Sequence, residues 1–171
     1  MTTATAEVSL QRAEVVRDFV RSELFDRTFR EGMELVETTA AYLDGEGRRD
    51  SKLLSRAGAL AYAGESMRLT TRLMQVASWL LVQRAVREGE LDPREACQPR
   101  YRLGAEAVCR ADSSGADDLP AGLLVLLAQS ERLYERVMHL DRRMFVEGPA
   151  EDTPNPVLSQ LEKLQAAFGA A

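Results

Sequence analysis

Histidine is almost absent from this sequence, and with it go the commonest routes to catalysis. One histidine, His139, occurs in 171 residues, whereas nucleophilic and acid–base enzymes most often use histidine as the base beside the reacting group. Metal sites in helical bundles pair Glu-x-x-His motifs on facing helices. Here Glu135 stands four residues before His139, and no second histidine exists. The two cysteines, Cys97 and Cys109, are too few for a disulfide framework or a zinc cluster and suit a reducing cytoplasm. Glycines are scattered as breaks, with no phosphate-binding loop, so no cofactor is expected. Positive charge is short as well. Lys and Arg number 22 against 27 Asp and Glu, a net charge of −5, the wrong sign for displacing counterions from nucleic acid. The longest apolar stretches, Val76 to Val82 and Leu119 to Ala128, fall short of the ~18 residues that span a bilayer. No membrane insertion is expected. The polar, acidic start, Met1 to Val8, lacks the order of a signal peptide. Together these absences predict a cytoplasmic protein that is not an enzyme.

What is present favours helices. Hydrophobic residues make up 45% and aromatics only 6%, and Ala, Leu, Arg and Glu dominate, all good helix formers. The length suits one domain burying roughly 70% of its unfolded surface. Residues 1–9 are read as a disordered start, 10–147 as a helical bundle domain, and 148–171 as a flexible tail with a short amphipathic helix. Leu10, Val15, Val16, Phe19 and Val20 form an N-terminal helical extension. Phe25, Phe29, Met33, Val36, Ala40 and Leu43 then recur every three or four residues, marking a first long helix that ends at Asp44-Gly45. Gly45 to Lys52 reads as a turn, with Ser51 as cap of the next helix.

The second long helix runs to Glu88. Leu53, Leu60, Met67, Met74 and Leu81 recur every seven residues, and the positions four further on, Ala57, Gly64, Thr71, Ser78 and Ala85, are all small. Such a seam predicts close approach of another helix, and around Leu73 to Val82 the helix is apolar almost all round, which places it centrally, against two neighbours or a second subunit. A long connection, Gly89 to Asp118, comes next, with Asp92-Pro93-Arg94-Glu95 starting a short helix. In the third long helix Leu126, Leu133 and Leu140 join Leu123, Ser130, Val137 and Met144 in one seam that stops before Gly148-Pro149. The fold expected is all-α, an antiparallel three-helix bundle.

Two groups of residues are candidates for binding. Glu65, Arg68, Arg72, Gln75 and Trp79 fall three or four apart, and Arg and Trp are favoured anchors of protein interfaces. A solvated face with Trp79 in the core explains the same pattern. In the tail, Pro154 and Pro156 forbid continuation of the third helix. Val157, Leu158, Leu161, Leu164 and Phe168 would form the apolar face of a last helix, which needs burial against this chain or another protein to be stable.

Three stretches go further than periodicity. They are Arg30 to Gly45, then Leu60 to Val86 with Glu88-Gly89-Glu90, and more weakly Ser130 to Tyr134 with Arg136-Val137. Over roughly Phe25 to Phe145 the chain resembles the RcdA family, the regulators of CtrA degradation. The resemblance implies a dimerising three-helix bundle with a flexible tail that acts as an adaptor in cell-cycle proteolysis. It implies docking on ClpX of the ClpXP protease primed by a CpdR-like response regulator, with delivery of protein substrates or recruitment of a PopA-like adaptor. The run of polar identities at Glu65, Ser66, Arg68, Thr70, Thr71, Arg72 and Gln75 implies that these groups are used. The alternative is a structural helical dimer, or an antagonist that binds partners without delivering them.

Overall fold

The computed structural model describes residues 2–110 and 118–145. Its helices are α1 (Thr2–Val20), α2 (Glu23–Asp44), α3 (Glu46–Ser51), α4 (Arg56–Glu88), α5 (Pro93–Ala96), α6 (Glu106–Cys109) and α7 (Ala121–Phe145), with a 3-10 turn at Pro99–Tyr101. No strand is found among the described residues. Residues 148–171 lie outside them, and so do the tail positions Leu158, Leu161, Leu164 and Phe168.

Helix ends obey local chemistry. Ser22 Oγ accepts from the Phe25 N–H at 3.2 Å, and Asp92 accepts from the Arg94 N–H at 2.8 Å, each filling a donor the helix leaves open. Gly89, at φ 78°, stops α4 with its N–H on the carbonyls of Ala85 and Val86. The helical extension starts ahead of Leu10, since α1 begins at Thr2, and its Ala13, Val16 and Val20 are buried in the core. Two expectations are corrected by the fold. Gly45 to Lys52 is not merely a turn but contains α3. The cap of α4 is Ser55, whose Oγ accepts from the Gly58 N–H at 3.0 Å, and not Ser51.

Three long helices, α2, α4 and α7, make the bundle, with α1 laid across α4 and α5. Pairings fix their directions. Asp26 meets Arg87 and Phe29 lies under Arg84, while Gly47 approaches Tyr62, so α2 and α4 are antiparallel. Glu31 meets Arg136 and Tyr42 meets Gly122, so α2 and α7 are antiparallel too. Gly58 faces Asp118, Arg72 bonds Ser130 and Trp79 bonds Asp141. Helices α4 and α7 therefore run parallel, and the long connection carries the chain back along the bundle between them.

One aromatic ring ties three elements. A methyl group at Gly47 of α3 would lie 2.5 Å from Tyr42 Cε1, and one at Gly122 of α7 would lie 2.5 Å from Tyr42 Cε2. Glycine is required at both places because the ring is held at opposite edges and cannot swing from one without striking the other. Gly122→Ala is therefore expected to lower stability by about 1–3 kcal/mol through overpacking, despite the better helix propensity of alanine. A urea midpoint equal to the wild type would show that Tyr42 yields.

The seven-residue seam of α4 does not meet another helix of the chain. Leu60 is 70% exposed, Met67 72%, Met74 57% and Leu81 51%, and Leu53 falls before the helix starts. A methyl group at Gly64 would touch nothing within 4 Å. The core side of α4 is formed instead by Leu69, Leu73, Val76 and Leu80. The seam of α7 is inward as expected, with Leu123, Leu126, Ser130, Leu133, Val137 and Met144 all buried.

Candidate functional site

The polar stripe of α4 folds inward rather than facing a partner. Trp79 is 2% exposed and Arg72 1%, and Glu65 is also buried. Arg68, partly buried, is ion-paired to Glu65. Each remaining member holds the α4–α7 connection. Arg72 donates from Nε (3.1 Å) and Nη2 (2.7 Å) to the Cys109 carbonyl of α6, and from Nη1 to Ser130 Oγ of α7 at 2.8 Å. Glu131 lies 3.4 Å from Nη2. Burial pulls the Arg72 pKa down, opposed by Glu131, as expected for a desolvated cation. Gln75 Oε1 accepts from the Gly104 N–H at 3.0 Å. Trp79 Nε1 donates to Asp141 Oδ1 at 2.9 Å, and Arg102 Nε donates to the same oxygen at 2.8 Å with its guanidinium 4.8 Å from the Phe145 ring centre.

The stripe thus works as a latch. Side chains of one helix fasten the return segment that lets α4 and α7 run parallel. Its partners Arg102, Cys109 and Asp141 cannot be picked out in the sequence, because each looks like an ordinary loop or helix-surface residue, and Ser130 is legible only as a member of the α7 seam. The one legible signal is the length of the connection itself.

No chemistry gathers around these groups. Burial pushes the thiols of both Cys97 and Cys109 up, away from the thiolate a nucleophile needs. The Tyr134 hydroxyl beside Cys109 is pushed up to about 12, chiefly by burial. His139 and Glu135 are exposed. Among the described residues no group of three or more His, Cys, Asp or Glu could hold a metal ion, and no helix is long and apolar enough to cross a membrane.

Two surfaces remain. The first is the outward ridge of α4, Leu60, Met67, Met74 and Leu81, with Gly64, Thr71 and Ser78 between. The second flanks it: a trough of about 520 Å³ between α2 and α4, whose walls include Val36, Ala40, Leu43, Met74, Ala77 and Leu81. Half of the apolar stripe read on α2 therefore lines this trough, while the buried centre of that helix is Phe25, Thr28, Gly32, Leu35 and Thr39.

The family described as protein of unknown function (DUF1465) matches residues 16–168. A crystal structure of RcdA from Caulobacter crescentus CB15 shares 67% sequence identity, with 77% of this chain and 99% of that one covered and a TM-score of 0.64. The chain belongs to the RcdA family. No curated protein matches. The resemblance carried by Arg30 to Gly45 and Leu60 to Val86 is thereby shown. In this RcdA-family chain the first stretch supplies the Tyr42 ring that joins α2, α3 and α7, and the second supplies both the latch and the ridge of α4.

Proposed function

We propose that the protein is a non-catalytic cytoplasmic adaptor in regulated proteolysis, which docks on a primed ClpXP protease and delivers cell-cycle substrates or a further adaptor. Membership of the RcdA family supports this reading. The observation that carries it is the ridge of α4, where four large apolar side chains stand more than half exposed along one helix. Apolar surface in a continuous row marks a protein interaction site. The small residues between allow a helix to approach closely, which fits a homodimer or a helix of ClpX, a CpdR-like response regulator, a PopA-like adaptor or a substrate. Arg72, Gln75 and Trp79 then contribute from beneath, by holding the connection, and Glu65 and Arg68 by pairing with each other, while the tail residues Leu158, Leu161, Leu164 and Phe168 engage cargo.

The alternative, a structural dimer or an antagonist, uses the same ridge, so the test must read delivery. In a reconstituted degradation assay with ClpXP, a CpdR-like protein and a candidate substrate, the wild type is expected to speed substrate loss. Met67→Asp with Met74→Asp should abolish the acceleration and change the mass measured by light scattering, with helicity kept, since exposed substitutions usually cost no more than about 0.5 kcal/mol. Binding without acceleration by the wild type would favour the antagonist. If the double variant keeps its mass, its binding and its delivery, the ridge is not the interface.

A further inference from the structure

The trough between α2 and α4 is apolar on both walls, open to solvent, and left unfilled by the described residues. We infer that it is the seat of the chain's own C-terminal stretch Val157–Phe168, which lies along it as an amphipathic helix. Three observations lead there. The first is composition: Val36, Ala40 and Leu43 from α2 oppose Met74, Ala77 and Leu81 from α4, and the stretch offers Val157, Leu158, Leu161, Leu164 and Phe168 on one helical face, the arrangement of a helix laid in a groove.

The second is length. From Thr70 to Leu81, the reach of the trough along α4, a helix rises about 17 Å, and Val157–Phe168, also twelve residues, rises by the same amount as a helix.

The third is reach. The last described residue, Phe145, lies beside Arg102 at the level of Trp79 and Asp141, the end of the bundle that Leu81 of the trough approaches. Residues 146–156 span up to about 36 Å when extended. That is ample to pass round a helix of ~10–12 Å diameter. The seated stretch covers Met74 and Leu81 of the ridge, so a helix from another molecule would have to displace it, and only the displaced stretch has its apolar face free for cargo. This seating does not depend on whether the chain delivers substrates, and its test needs no protease.

Lys163 is the single Lys or Arg beyond Arg143, so trypsin has one site in the tail, and its cut is read by mass spectrometry as loss of the last eight residues. In the intact chain this cut should be about tenfold slower than in a free peptide of residues 155–171, because cleavage tracks the released population. Ala77→Asp and, separately, Leu43→Asp, both in the trough and both away from the cut, should raise the rate towards that of the peptide, with helicity checked by circular dichroism. The protection should be unchanged on tenfold dilution. Equal rates in intact chain and peptide overturn the inference, as does protection that the trough variants leave intact. Protection that fades on dilution also overturns it, and would place the tail in the trough of a second copy.

Discussion

Arg72→Ala is expected to lower the stability of the bundle by about 2–3 kcal/mol, since it leaves the buried Cys109 carbonyl and Ser130 hydroxyl without their donor. The guanidinium supplies both hydrogen bonds to the Cys109 carbonyl and one to Ser130 Oγ. Cys109 and Ser130 are themselves buried, so water cannot easily replace the lost donor. Arg72→Lys should recover only part of the loss, since one ammonium cannot reproduce the planar fork that reaches two elements at once. Arg72→Glu should be worse than alanine, placing a carboxylate against a carbonyl and Glu131. Thermal denaturation monitored by circular dichroism checks the series, and a shift of about 2–4 °C per kcal/mol is expected for a chain of this size. An Arg72→Ala variant within about 1 kcal/mol of the wild type would mean that the connection is held by packing alone.

The second large effect is expected at Trp79. Its ring fills the junction of α1, α4 and α7, 5.8 Å from the Phe19 ring, and its indole N–H is bonded to Asp141. Trp79→Ala should cost about 3–5 kcal/mol, by loss of burial and the cavity left behind. Trp79→Phe separates the two roles. It keeps most of the ring while removing the donor, and because Arg102 still pairs with Asp141 the loss should be nearer 1 kcal/mol. Urea midpoints with an unchanged slope would confirm that the folded state is what changes. If phenylalanine costs as much as alanine, the hydrogen bond rather than the ring is what the site requires.

These two residues show how far the sequence can be read. Helix type, the capping at Ser22 and Asp92, the stop at Gly89 and the inward seam of α7 are all legible, because each depends on neighbours a few positions away. The facing of α4 is not. Leu60, Met67 and Met74 carry the same period as a core seam, and period alone does not say whether the facing surface belongs to the same chain, another chain or water. Arg72 and Glu65 mislead for the complementary reason, that charged side chains are seldom buried unless paired; their partners come from segments 37 to 59 residues away in the case of Arg72. The parallel run of α4 and α7 belongs to the same class of fact, since direction is set by the connection and not by either helix. The proposed binding role of the tail, Leu158 to Phe168, is legible only as an apolar face and a chain length.

The parallel pairing has a consequence for synthesis. An antiparallel pair can zip from its turn, and the contacts of α2 and α4 allow this from Gly47 and Tyr62 outwards to Asp26 and Arg87. Contacts between α4 and α7 have no such short-range start: Arg72 to Ser130 spans 58 positions and Trp79 to Asp141 spans 62. On the ribosome, α2 and α4 can therefore join once Glu88 has emerged, but the last residue of α7, Phe145, emerges 57 residues later. At ordinary rates of elongation that is roughly 3 to 11 seconds, during which the faces awaiting α7 stand open to other chains and to chaperones. Nascent chains stalled short of Ala121 should accordingly be captured by an apolar-binding chaperone, and chains that have released Phe145 should not.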